Sequence, residues 1–159
     1  MVILGIDPGL SITGWGVIEA ISRDKISFIS YGCIKTVSHS SLIQRLQIIN
    51  TELQHIIYKY SPKAVAIEEL FFFKAAKSIS AIGQARGAII LTVSLNKISL
   101  FEYNPKIVKI ALTGYGASDK YQIQHMVKFF LKLKKIPKPD DAADALAIAI
   151  CHINTIKWS

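Results

Sequence analysis

An apolar run, Ile3-Leu4-Gly5-Ile6, ends on a single carboxylate, Asp7, turns at Pro8-Gly9 and resumes as Thr13-Gly14-Trp15-Gly16-Val17-Ile18. No other stretch constrains the fold as tightly. A short apolar run closed by a Pro-Gly turn reads as a buried strand, and this one delivers a negative charge to its own tip, with glycines clearing space beside it. Whether that charge holds a metal, a phosphate or nothing depends on what the rest of the chain brings next to Asp7.

The pattern continues as a meander. Strands over residues 2–7, 13–21 and 25–36 are joined by the Asp7-Pro8-Gly9 turn and by Ser22-Arg23-Asp24-Lys25, and connections this short make neighbours antiparallel. Ser40 or Ser41 then caps a helix in which Leu42, Leu46, Ile49, Leu53, Ile56 and Tyr60 recur at helical spacing, and Ser61-Pro62 ends it. Residues 63–67 form a short apolar run ending on Glu68-Glu69. A strand reached through a long helix lies parallel to the one it left. Parallel neighbours that both end on a carboxylate set Asp7 and Glu68 side by side at the C-terminal edge of the sheet, where open α/β sheets carry their sites.

A second helix spans about 74–95, with a small-residue centre, Gly83-Gln84-Ala85-Arg86-Gly87-Ala88, suited to cover on two faces, by a second subunit or by the interior. Residues 98–103 give a fifth strand. Asn104-Pro105 opens a helix through Leu112, Ser118 caps another through about Lys132, and Pro137 and Pro139 precede a last helix over 140–156. The expectation is one α/β domain over 1–159, with a five-stranded mixed sheet (an antiparallel three-strand meander plus parallel strands) flanked by helices.

Composition narrows the partner. The net charge is +8, and it is segregated: residues 104–138 hold eight lysines against Asp119 alone. That favours a polyanion, nucleic acid above all, over a lysine face kept for solubility. Cys33 and Cys151 are isolated, which suits a reduced, cytoplasmic protein. The start of the chain lacks a leader pattern, and the longest apolar tract, Gly87 to Leu95, is too short to span a bilayer.

The last helix begins Asp140-Asp141-Ala142-Ala143-Asp144. Residues three or four apart share a helix face, so Asp141 points with Asp144 toward the sheet edge, and Asp140, four apart from Asp144, would do so too; one aspartate is enough to cap, and Asp140 reads as that cap. Asp7, Glu68, Asp141 and Asp144 then make an all-oxygen set with no His or Cys partner. Such carboxylates repel unless a cation neutralises them, and oxygen ligands suit Mg²⁺ or Mn²⁺ rather than Zn²⁺. Carboxylate-held ions of this kind serve in-line attack of water on a phosphodiester. With the lysine segment, the set reads as a nuclease of unspecified substrate.

The motifs Gly5-Ile6-Asp7-Pro8-Gly9 with Thr13-Gly14, Ala66-Ile67-Glu68-Glu69, Gly83-Gln84-Ala85-Arg86-Gly87, Phe101-Glu102-Tyr103, Gln124-His125-Met126-Val127 and Asp141-Ala142-Ala143-Asp144-Ala145-Leu146-Ala147 run in order from end to end. Together they resemble the RuvC family of Holliday-junction resolvases, within the RNase H-like fold. The resemblance implies a cytoplasmic, homodimeric, Mg²⁺-dependent endonuclease, with Mn²⁺ able to substitute, that nicks opposing strands of four-way DNA junctions in recombination and repair. It implies partners of the RuvA/RuvB branch-migration type. By motif position, Asp7, Glu68, Asp141 and Asp144 take the catalytic, metal-binding places, Phe71 that of an aromatic wedge at the junction centre, and Lys109 and Lys120 those of cations near the scissile phosphate. The glycines after Asp7 become clearance for a metal-bound DNA backbone.

His125 reads as structural, and His39, His55 and His152 as residues without partners; Arg86 is an interface or core ion-pair residue. Two other readings compete. Asp7-Pro8-Gly9 with Thr13-Gly14 also resembles the phosphate loop of actin-like ATPases and sugar kinases, which need two such domains. A catalytically silent junction binder has no reason to carry four acids.

Overall fold

β1 (Val2–Asp7) is the middle strand of a five-stranded sheet in the computed structural model, which describes residues 1–69 and 76–157. β2 (Ile12–Ser22) pairs antiparallel with β1 and β3 (Lys25–Lys35) antiparallel with β2, giving the expected meander. α1 (Leu42–Tyr60) follows, capped by Ser41 in a reciprocal box with Gln44. It returns the chain to β4 (Ala64–Glu68), parallel to β1 with Ile6 opposite Ile67. α2 (Ala76–Leu95) leads to β5 (Ser99–Tyr103), parallel to β4, so the sheet order is β3-β2-β1-β4-β5. α3 (Pro105–Thr113), α4 (Lys120–Phe130) and α5 (Asp140–Thr155) close the chain.

The cap of α4 differs from expectation. Asp119, not Ser118, caps α4, because Gln122 stands at the third helical position and returns the bond in a capping box. Ser118 is buried instead, its hydroxyl bonded to the Tyr115 carbonyl and within 2.6 Å of the Thr113 hydroxyl.

The sheet separates two cores, and residue size decides which helices cover which face. Leu4, Ile6, Val17, Val65 and Ile67 pack against α1 and α2, together with Ile49, Leu53, Ile89 and Val93. Ile3, Ile18, Ala20, Ala64 and Ala66 face α5, with α3 and α4 behind it. Successive strand side chains alternate faces, and on the α5 face the central positions are small: Gly5, Gly14, Gly16, Ala64 and Ala66. α5 answers with Ala142, Ala143, Ala145, Ala147 and Ala149, all buried. A Cβ added at Gly5 would lie 2.0 Å from the Ala145 carbonyl oxygen, and one at Gly16 would lie 2.6 Å from Leu146 carbons. The helix therefore lies on the backbone of β1 and β2. That close seat brings its acidic first turns to the sheet edge.

Candidate active site

Alternation fixes the direction of the two strand-borne acids. Ile3 and Gly5 face α5, so Asp7, two residues further on, lies on the same face; Glu68 follows Ala64 and Ala66 in the same way. The parallel register puts Ile6 opposite Ile67, and the two carboxylates come one residue later on neighbouring strands. Both are half-buried.

α5 supplies the other pair. Gly14 is the cross-strand partner of Asp7, and a Cβ built on it would meet the Asp141 carbonyl oxygen at 2.0 Å and Asp141 Cβ at 3.0 Å. Asp141 is thus seated directly on the strand position beside Asp7. Gly14 leaves room for the helix and not for DNA, which corrects the expected role of that glycine. At Gly9 too the clash of an added Cβ would be internal, with the Ile12 carbonyl oxygen at 2.2 Å.

Asp144 lies one turn on, in a cavity of about 210 Å³ lined by Glu68, Lys109, Lys120 and Asp144 over an apolar floor that includes Val108, Ile123 and Ile148. Lys120 Nζ is 3.3 Å from Asp144 Oδ2 and 3.3 Å from Asp140 Oδ2. Burial raises the Asp144 pKa above the ordinary carboxylate value, Lys120 opposes the rise, and Asp140 and Asp141 add to it. Burial alone would lower the Lys120 pKa, but the charges and hydrogen bonds of Asp144 and Asp140 outweigh it and hold the ammonium above its usual range. Cys33, opposite Gly14 on β3, is raised by burial first and then by Asp141, with a smaller push from Asp7. The charges of Asp7 and Asp141 thus both reach Cys33, and that of Asp141 also reaches Asp144.

Asp140 is not the cap expected of it. Pro139 takes the cap position without a side-chain bond, and the Asp140 carboxylate turns outward to Lys138 Nζ at 2.8 Å and to Lys120. Lys138 first, then Lys120, holds its pKa at about 2. With Asp140 engaged by two lysines, Asp141 is the acid set toward Asp7.

The four carboxylates share one edge, yet among the described residues no three acidic, His or Cys side chains are gathered tightly enough to hold a metal ion. Like charges repel, and the Lys120 ammonium lies 3.3 Å from Asp144 Oδ2. The donor set, all oxygen and half-buried, fits a hard divalent cation.

Other expected residues fall as follows. Lys109 and Lys120 both reach the cavity. Phe71, with Phe72 and Phe73, lies outside the described residues. His125 is exposed on α4 and stacks on Tyr121 at 4.1 Å, so it is no core residue; its helix turns Ile123 and Val127 inward instead. His152, expected to lack a partner, is 1% exposed, with Nδ1 2.7 Å from the Tyr103 hydroxyl. Arg86 pairs with Glu102. Cys33, read from the sequence only as an isolated cysteine, lies opposite Gly14 on β3 beside the acidic edge.

Comparison with known proteins bears on the whole chain. The model of the family described as crossover junction endodeoxyribonuclease RuvC matches residues 3–152. The crossover junction endodeoxyribonuclease RuvC of Endomicrobium trichonymphae is 72% identical over 159 residues, covering 100% of this chain and 84% of the relative. That of Caldicellulosiruptor saccharolyticus is 54% identical, covering 96% and 92%. The solved structure of T. thermophilus RuvC in complex with Holliday junction substrate superposes with a TM-score of 0.91 at 34% identity, over 96% of this chain and 92% of that one. With the acid-bearing strands, the closing helix and these matches in agreement, the chain belongs to the RuvC family of crossover junction endodeoxyribonucleases.

Proposed function

We propose that this chain resolves four-way DNA junctions by metal-dependent hydrolysis, with Asp7, Glu68, Asp141 and Asp144 as the metal-holding, catalytic acids. The observation that carries this assignment is their delivery to one sheet edge from three separate elements, β1, β4 and α5. When bound there, Mg²⁺ or Mn²⁺ lowers the pKa of an attacking water and neutralises charge on the phosphodiester. The protein's own groups do the rest. The four carboxylates fix where the charge is held and orient what it binds. Lys120, 3.3 Å from Asp144, and Lys109, which reaches the same cavity from α3, would pair with the phosphate oxygens. Phe71 is proposed as the wedge at the junction centre, where stacking on a base is worth about 1–3 kcal/mol.

A four-way junction has two opposed scissile strands, which asks for two sites. α2 buries Ala85, Ile89 and Val93 against the sheet but leaves Leu91 59% and Leu95 68% exposed, and this uncovered apolar face supports a homodimer. Family membership supports partners of the RuvA/RuvB branch-migration type. No described helix is long and apolar enough to cross a membrane.

Incubating the protein with a synthetic four-way junction, with Mg²⁺ or with a chelator, tests the reading. Paired symmetric nicks that need the metal are expected, together with binding but no nicking by Asp7→Asn. Equal cleavage by parent and Asp7→Asn would exclude the role given to Asp7.

A further inference from the structure

Arg86 ties three elements together beside the site. It projects from α2 with its side chain only 14% exposed. Its Nε donates to the Glu68 backbone carbonyl at 3.3 Å, and its terminal nitrogen forms an ion pair with Glu102 of β5. Glu68 is the last residue of β4 and pairs with Tyr103; one further ladder bond, from the Glu69 amide to the Tyr103 carbonyl at 2.9 Å, follows it. The main chain at Glu68 is thus held by β5 along the sheet and by the guanidinium from α2.

That place matters because a strand tip is where pairing ends. A carboxylate there points reproducibly only if its backbone is fixed. A guanidinium is a planar fork of donors, able to serve a carbonyl and a carboxylate at once in fixed geometry, whereas an ammonium is a point charge on a flexible stem. Glu102 supplies the second anchor, orienting the fork as outer partners orient metal ligands generally.

We propose that Arg86, oriented by Glu102, is a positioning residue that fixes the Glu68 backbone so that its carboxylate meets the cation. It acts through Glu68 and touches neither metal nor DNA. This inference rests on the metal-holding role proposed for Glu68.

The test measures Mn²⁺ binding by electron paramagnetic resonance in the absence of DNA, beside junction cleavage at saturating Mg²⁺. Outer-shell substitutions typically cost about 10–100-fold in metal affinity or activity. Arg86→Met is expected to weaken Mn²⁺ binding about tenfold and to lower kcat, with KM for the junction within about twofold. Arg86→Lys, which keeps the charge but cannot bridge both anchors, should behave nearer to Arg86→Met than to the parent. Glu102→Gln, which keeps an acceptor for Arg86, should fall between. Should Arg86→Met fail to fold, the other two variants carry the test.

Parental Mn²⁺ affinity and kcat in folded variants that merely melt at lower temperature would overturn the proposal. Glu68→Gln is measured in parallel. If it loses Mn²⁺ affinity while the Arg86 variants keep theirs, the positioning role alone fails; if it too keeps parental affinity, the role of Glu68 fails and the positioning role with it.

Discussion

Gly14→Ala probes the contact between β2 and the first turn of α5. The added Cβ would lie 2.0 Å from the Asp141 carbonyl oxygen and 2.4 Å from its carbonyl carbon, against 3.4 Å for ordinary contact. The obstacle is backbone, so no side-chain rotation relieves it. The start of α5 must lift from β2 by about 1.4 Å, carrying Asp141 away from Asp7 and shifting Asp144. Overpacking of this kind costs about 1–3 kcal/mol, which for a chain of this size lowers Tm by roughly 2–12 °C. The catalytic cost is larger, since a displacement of about 1 Å in a positioned group can cost on the order of 100-fold in rate. Single-turnover cleavage of a synthetic junction at saturating protein reads the chemical step, and a gel shift on the same junction reads binding. Cleavage should fall about 100-fold or more while binding stays within about threefold, because the lysine segment proposed to carry affinity is untouched. A folded Gly14→Ala variant that cleaves at the parental rate would refute the idea that α5 must lie on the β2 backbone for the acids to meet.

Three further outcomes follow from other parts of the molecule. Asp140 has a folded pKa of about 2 against 3.8 for the free group, so its stabilising contribution is present above pH 4 and disappears as the pH falls toward 2; in urea melts, the difference between parent and Asp140→Asn should shrink over that window, and a constant difference would contradict the lysine pairing. Asp144, shifted upward, works with the opposite sign: its ionisation opposes folding as the pH rises through its pKa. Leu91→Asp on the exposed face of α2 should convert a particle of twice the chain mass into one of single mass in light scattering, and an unchanged mass would remove α2 from the dimer interface. Phe71→Ala should keep junction binding and lose most cleavage; undiminished cleavage would discard the wedge.

The fold was legible because its signals were local. Apolar runs closed by Pro-Gly or Ser-Pro, with one long amphipathic helix between two of them, gave the antiparallel meander and the parallel place of β4 beside β1, with bounds shifted by only a residue or two. Asp7 and Glu68 followed from parallel pairing alone, and Asp141 and Asp144 from helical spacing. What stayed hidden depended on contacts between distant segments. The glycines after Asp7 looked like room for a substrate, and only the seating of an alanine-rich helix shows that Gly14 and Gly16, like Gly5 before them, make room for the chain itself. The pairing of Asp140 with Lys138 and Lys120 could not be separated in sequence from ordinary capping, and nothing in sequence named Glu102 as the ion-pair partner of Arg86. His152 looked unpartnered because Tyr103 lies 49 residues away.

The most direct measurement is a crystal structure of the protein soaked in Mn²⁺, with anomalous difference density collected at the manganese edge. Density is predicted at the C-terminal edge of β1 and β4, within bonding distance of carboxylate oxygens from Asp7 and from α5, with Lys120 withdrawn from Asp144. Density absent from that edge at saturating Mn²⁺, or density coordinated by Asp140 with Asp7 left out, would contradict the site proposed here.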